Sequence, residues 1–205
     1  MPSSPWARRC AALVLALAVL PATSVLLAAC QLQGDPSASP ERISRNDAQA
    51  TLSSHPVETR TRIHRVFGRL PDARRKAVRV QVGKVVDRWW EASYLGGTYP
   101  RASFPGAFPG FTAAAEERAR SAKALLTNQT QGQRLDSVSA KHRSIALDVL
   151  ATDRRARSVT ASFVLRFETD GELSGTTTVR GRLFLVSRGG HWRIFGYDVA
   201  KGSTR

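Results

Sequence analysis

Cysteine is nearly absent from this chain: two residues in 205, Cys10 and Cys30. Both sit near the N-terminus. No disulfide can brace the long remainder, and no cysteine set exists to hold zinc or an iron–sulfur cluster. Histidine is scarce too. His55, His64, His142 and His191 are widely separated with no paired spacing, so no metal site and no cofactor are expected. The Gly-x-Ser-x-Gly elbow of a serine hydrolase is missing, as is a phosphate-cradling glycine loop. Gly189-Gly190 reads as a hairpin turn. Carboxylates are outnumbered, 16 against 31 lysines and arginines, giving a net charge of +15. One long uncharged run occurs, residues 11–29, and no second stretch of spanning length follows it.

That run is the clearest signal present. Arg8 and Arg9 precede it, Leu, Val and Ala fill it, and it ends in Leu27-Ala28-Ala29-Cys30. The small pair before a cysteine resembles the lipobox of bacterial lipoproteins. The resemblance implies cleavage before Cys30 and lipid attachment to its thiol, and so a protein held on the outer face of the cytoplasmic membrane. Each buried CH₂ contributes about 0.8 kcal/mol, so two or three acyl chains anchor firmly. The same run suits an ordinary secretory signal cut near Ala29, or an uncleaved anchor; the cysteine placed directly after Leu27-Ala28-Ala29 favours the lipoprotein reading.

Residues 1–29 are then a signal peptide, and residues 30–56 a flexible tether. Gly34, Pro36, Pro40, Ser53, Ser54 and Pro56 are scattered through that tether with no apolar period, so it cannot offset its ordering entropy. A short basic segment, 57–74, carries Ile63, Val66, Phe67 and Leu70 at helical spacing and is expected to form a short helix. The domain proper is expected over 75–202, large enough to bury a core without staples. Its basic charge suits anionic lipid or envelope polymer. Nucleic acid is a poor partner outside the membrane. A basic proteome would also account for the charge without any dedicated partner.

Within the domain, Val78, Val82, Val85, Val86, Trp89 and Ser93 share about a 100° arc at helical pitch, predicting an amphipathic helix over 75–95 that Gly96-Gly97 stops. Trp89 falls inside the arc and Trp90 on its flank. A Pro/Gly/aromatic loop holds Phe104, Phe108 and Phe111. Thr112 is placed to cap a second helix with Ala115, Ala119, Ala122 and Leu126 buried and Asn128 as terminator. Strict alternation then predicts strands around 145–151, 159–167, 177–185 and 192–199, joined by short turns, with a weaker strand near 134–140. Helices first and long antiparallel strands after them make an α+β fold.

The order of elements, with Arg182-Leu183-Phe184-Leu185 and His191-Trp192-Arg193-Ile194-Phe195-Gly196-Tyr197 closing the chain, resembles the nuclear transport factor 2-like (cystatin-like) fold. The ending is also similar to actinobacterial Mce-associated envelope proteins. The resemblance implies N-terminal helices packed in a strongly curved antiparallel sheet, a cone with a pocket at its open end. Trp90, Tyr94, Tyr99, Phe104, Phe108 and Asp198 are the candidate residues for that pocket or its rim. Asp198 alternates with Trp192 and Ile194, which points it inward.

Two functions follow. One is a non-enzymatic, lipid-anchored accessory or scaffold protein of the cell envelope, binding a protein partner or a lipid-like ligand. The other is a pocket enzyme of the ketosteroid isomerase or dehydratase type, with Asp148 or Asp198 as base and Tyr94, Tyr99 or Tyr197 as donors. The first is preferred, because no compact acid–base motif is present.

Replacing Cys30 by Ala is expected to block processing and lipid attachment. Intact mass and detergent phase partition of both forms provide the check; an unmodified N-terminus in the wild-type protein would refute the lipid anchor.

Overall fold

The computed structural model describes residues 57–204. The expected signal peptide, tether and lipid site at Cys30 lie outside those residues. The described chain forms a mixed α/β fold built on an open five-stranded sheet. Strand β1 is Arg60–Phe67, helix α1 is Asp72–Trp90, and short helices α2 and α3 are Ala113–Ser121 and Lys123–Leu126. Strands β2, β3, β4 and β5 follow as Leu135–Thr152, Arg155–Gly171, Gly175–Arg188 and His191–Thr204. Spatial order equals sequence order. β1 runs parallel to β2 across the α1 crossover, and the remaining pairs are antiparallel hairpins. The weak strand expected near 134–140 is the first half of β2, continuous with the expected strand at 145–151.

The segment before Pro71 is a strand and not the expected short helix. The misleading spacing has a definite origin. Thr61 and Ile63 turn toward α1 while Arg60 and Arg62 turn away. His64 is then skipped in the pairing, Ile63 facing Leu147 and Arg65 facing Asp148. That bulge resets the alternation, so Val66 follows Ile63 by three residues. A spacing of three inside a bulged strand is the same signal as one turn of helix.

Pro71 caps the start of α1, where its missing N–H costs nothing, and Asp72 sits in the positive first turn. Four of its buried residues are valines, weak helix formers, so tertiary packing rather than propensity holds it. Gly83 sits where α1 meets β1; a Cβ there would lie 3.0 Å from Thr61 Oγ1. The helix continues through one wide turn, Glu91–Leu95, closed by the Gly96 N–H donating to Glu91 O at 2.8 Å. Such wide turns shift the phase of the side chains beyond them. Ser93, Tyr94 and Leu95 are all buried as a result.

Trp90, the last residue before the wide turn, is core, not rim: it is 0 % exposed and packs 5.9 Å from the Phe163 ring. Trp89 is equally buried, edge-on to Phe163 at 5.5 Å and to Tyr94 at 5.6 Å. The second helix is capped as expected, with the Ala115 N–H donating to Thr112 Oγ1 at 3.3 Å, but it breaks at Ala122 into α2 and α3. The loop ahead of α2 covers part of the β5 edge, since Thr112 N donates to Ile194 O and Ile194 N to Gly110 O, both at 2.8 Å. No helix among the described residues is long and apolar enough to cross a membrane.

Trp89→Ala and Trp90→Ala are each expected to cost about 3–5 kcal/mol, the range for emptying a large buried aromatic site. Urea titration measures both. A Trp90 loss below about 1 kcal/mol would contradict its core position.

Candidate functional site

The residues expected around a pocket divide between two faces of the sheet. Tyr94, Phe104 and Phe108 are buried with Trp90 on the face that α1 covers, and none of them forms a rim. The tyrosine hydroxyls are used internally, whereas the buried Trp90 Nε1 has no hydrogen-bond partner. Tyr94 Oη donates to Leu125 O at 2.9 Å, and Tyr99 Oη donates to Tyr94 O at 2.6 Å. Asn128, the expected terminator, is buried and donates to Tyr94 O at 3.0 Å. Phe104 lies under the Arg101 guanidinium, 4.0 Å from its ring, and Phe108 packs against Phe111 at 5.4 Å. Half-buried Tyr99 stacks edge-on to Phe104. This aromatic loop is a plug that closes the helix-covered face.

Asp198 lies on the opposite face, contrary to the inward position that alternation gave it. Its side chain is 61 % exposed and pairs with Arg182 at 2.6 Å. The cause is a second bulge. Ile194 faces Leu185 and Gly196 faces Phe184, leaving Phe195 unpaired between them. Before it, Trp192 and Ile194 point into the core. Beyond it the alternation inverts: Tyr197 packs against Phe111, and Lys201 reaches α3. Asp148 is also away from the core, accepting a 2.8 Å hydrogen bond from His64 Nδ1. His142 contacts Ser144 and His191 is exposed at the β4–β5 turn. No three His, Cys, Asp or Glu side chains converge among the described residues.

Two charged clusters escaped the sequence reading because their members are distant in the chain. The first links α1 to β1 and β2. Burial pushes the Asp87 carboxyl up, opposed by the Thr59 hydroxyl donating to it at 2.5 Å and by the nearby Arg143 charge. Arg143, only 15 % exposed, pairs with Glu91 at 2.7 Å. These contacts clamp the helix to the sheet, with the buried Arg143 Nε left without a hydrogen-bond partner.

The second is a groove of about 690 Å³ on the face away from α1. Its floor is β2 and β3, paved with the small side chains of Ser144, Ala146, Ser162 and Val164. Arg60 and Arg62 on β1 wall one side, and Arg180 and Arg182 on β4 the other. The register sets them in two rows: Arg62, Ala146, Ser162, Arg182, Asp198, and Arg60, Ser144, Val164, Arg180, Ala200. Asp198 neutralises Arg182; among the described residues no carboxylate lies within 4.0 Å of Arg60, Arg62 or Arg180. The signal was readable as Arg-x-Arg in two strands, but only once 60–67 is known to be one. A second hollow of about 600 Å³, beside the β4–β5 turn, is also net basic, with Lys84, Arg88 and Arg193 against the single carboxylate of Asp87. Comparison of the chain with family models, with curated proteins and with solved structures gives no match.

The inverted phase of β5 also buries a cation. Lys201 Nζ donates to Ala124 O at 3.1 Å and Thr127 O at 2.8 Å, and desolvation lowers its pKa to about 8. An exposed lysine titrates near 10.5, so between about pH 8 and 10.5 the unfolded chain binds more protons and stability rises with pH. Burial raises the Tyr94 and Tyr99 phenols, so above pH 10 the unfolded chain alone loses those protons and stability falls. Urea midpoints are expected to climb from pH 8 to about 10 and then drop. In Lys201→Met the climb should vanish; its persistence would place the titrating group elsewhere.

Proposed function

We propose that this protein is a lipid-anchored, extracytoplasmic accessory protein of the cell envelope that works by binding, through the arginine-walled face of its sheet. The observation that carries the reading is the division of the two faces. The face beneath α1 is filled by Trp89, Trp90, Tyr94, Phe104 and Phe163, while the opposite face holds an open groove with three arginines that have no carboxylate partner among the described residues. The nuclear transport factor 2-like architecture belongs to the same proposal. It is supported by a helix laid on long antiparallel strands, and it would be a cone whose interior serves stability. The anchor at Cys30 is supported by the sequence pattern that ends in Leu27-Ala28-Ala29-Cys30.

The alternative, an isomerase or dehydratase working in a pocket, would need a base inside that cone. Asp148 and Asp198 both face the other way and are engaged by His64 and Arg182. No observation favours turnover over binding.

The reading predicts selective, salt-sensitive capture of polyanions, because exposed charges are screened over about 8–10 Å at ordinary ionic strength. The full chain, held by its C-terminus in neutral detergent, is exposed to phosphatidylglycerol vesicles, phosphatidylcholine vesicles and soluble polyglutamate at 50 and 500 mM salt. Binding of at least one anionic probe at low salt is expected, weakened at least fivefold in the Arg60→Gln/Arg180→Gln variant. Binding indifferent to probe charge, to salt and to those arginines would overturn it.

A further inference from the structure

We propose that the groove is a berth for one α-helix with acidic flanks, presented by a protein partner. The proposal rests on the outer-face reading above and names its occupant.

Width is the first argument. The arginine walls stand on β1 and β4, three strand spacings apart, or about 14 Å. A helix with its side chains is about 10–12 Å across, so it fits between them. A single acyl chain is far thinner and would leave most of the floor bare. The floor suits a helix for a second reason. Ser144, Ala146, Ser162 and Val164 are short, so a helix axis can approach the sheet closely.

Spacing is the second argument. Along each wall the two arginines are two residues apart on a strand, about 6.6 Å. Residues i and i+4 of a helix are separated by about 6 Å along its axis. Glutamates at i and i+4 on one flank would meet Arg60 and Arg62. A pair on the other flank would meet Arg180 and Arg182, the latter already shared with Asp198. Charge-assisted contacts of guanidinium to carboxylate give this pairing direction as well as attraction.

The groove also continues. The row after Arg62 and Arg182 carries Asp148, already held by His64, and Thr160 on the floor and Phe184, beside Phe195, on the far wall; the row after that brings Phe67 and Leu150 on the near side. Phe67, Leu150 and Phe195 are 48 %, 50 % and 46 % exposed, rare values for large apolar side chains in this protein. The four rows span about 20 Å, or about 13 residues of helix. The occupant is thus acidic on both flanks at one end and apolar at the other. A second copy of this chain is disfavoured, because face-to-face pairing would set Arg60, Arg62 and Arg180 against their own equivalents.

The probe is a 14-residue helical peptide with an alanine spine, paired i, i+4 glutamates on both flanks and leucines at one end. Its control is an isomer of identical composition with every glutamate on one face. Fluorescence anisotropy reads binding to the full chain in neutral detergent. The flanked peptide is expected to bind at least tenfold tighter than the isomer. Arg60→Gln/Arg180→Gln should lose at least tenfold, while Arg188→Gln, outside the groove, should not change. Ser162→Phe keeps every charge but fills the floor, and should weaken the peptide at least fivefold while leaving polyglutamate capture intact. Far-ultraviolet circular dichroism confirms that each variant is folded. Equal binding of the two isomers, or indifference to Ser162→Phe, overturns the helix. If neither peptide binds but phosphatidylglycerol vesicles are captured through the same arginines, the occupant is a lipid surface and the outer-face reading survives. If no anionic probe binds, both fall.

Discussion

The indole of Trp89 is the contact around which this protein is arranged. It meets Phe163 from the sheet, Tyr94 from the wide turn of α1 and Phe111 from the loop before α2, with ring centroids 5.5, 5.6 and 6.1 Å away. A central strand, the end of the helix and the loop before α2 thus converge on one ring. Edge-to-face aromatic pairs of this kind contribute about 0.5–1.5 kcal/mol each beyond area burial, and residues 57–204 hold no cysteine to brace the domain instead. A core this full stabilises a chain without cross-links, but it consumes the volume in which a ligand or a catalytic base would sit.

Two bulges decide which side chains reach the face away from α1. One residue left unpaired at His64 and another at Phe195 each invert the alternation of an edge strand. The first lets β1 pair along its length while holding Arg60 and Arg62 outward and Val66 inward. The second turns Asp198 out to Arg182 and brings Lys201 in to the last carbonyls of α3. Gly181, opposite the inverted part of β5, leaves room for this: a Cβ there would lie 2.0 Å from Asp198 O. The wide turn at the end of α1 does on a helix what the bulges do on strands.

The charge excess acquires a location from these shifts. Arginines spaced along the sequence are gathered by strand register into two facing walls, with short side chains between them. A uniformly basic surface attracts any polyanion; two walls at fixed separation select for shape. The edge of β1 is also protected from strand addition by its charged side chains.

Much of the fold was legible in order and kind. The arc from Val78 to Trp89, the Thr112 cap, the stop at Gly96 and the alternation of β2 to β5 are local signals, set by 3.6- and 2-residue periods that neighbouring residues carry themselves. Trp89 was placed correctly because it lies within such a period. Trp90 was not, because its ring is covered by Phe163 from a distant strand, and Tyr94, Phe104 and Phe108 were not, because their burial depends on a wide turn and a returning loop that no local period encodes. Ile63 and Val66 suggested a helix because a bulge and a helical turn produce the same spacing of three. Asp198 was assigned to the wrong face because one unpaired residue inverts every position after it. The sequence by itself determined the basic charge, the absence of cross-links, the apolar run ending at Cys30 and most of the element boundaries. The tertiary structure alone decided which face is full and which arginines stand together, since register between distant strands is fixed by pairing and packing and leaves no local trace.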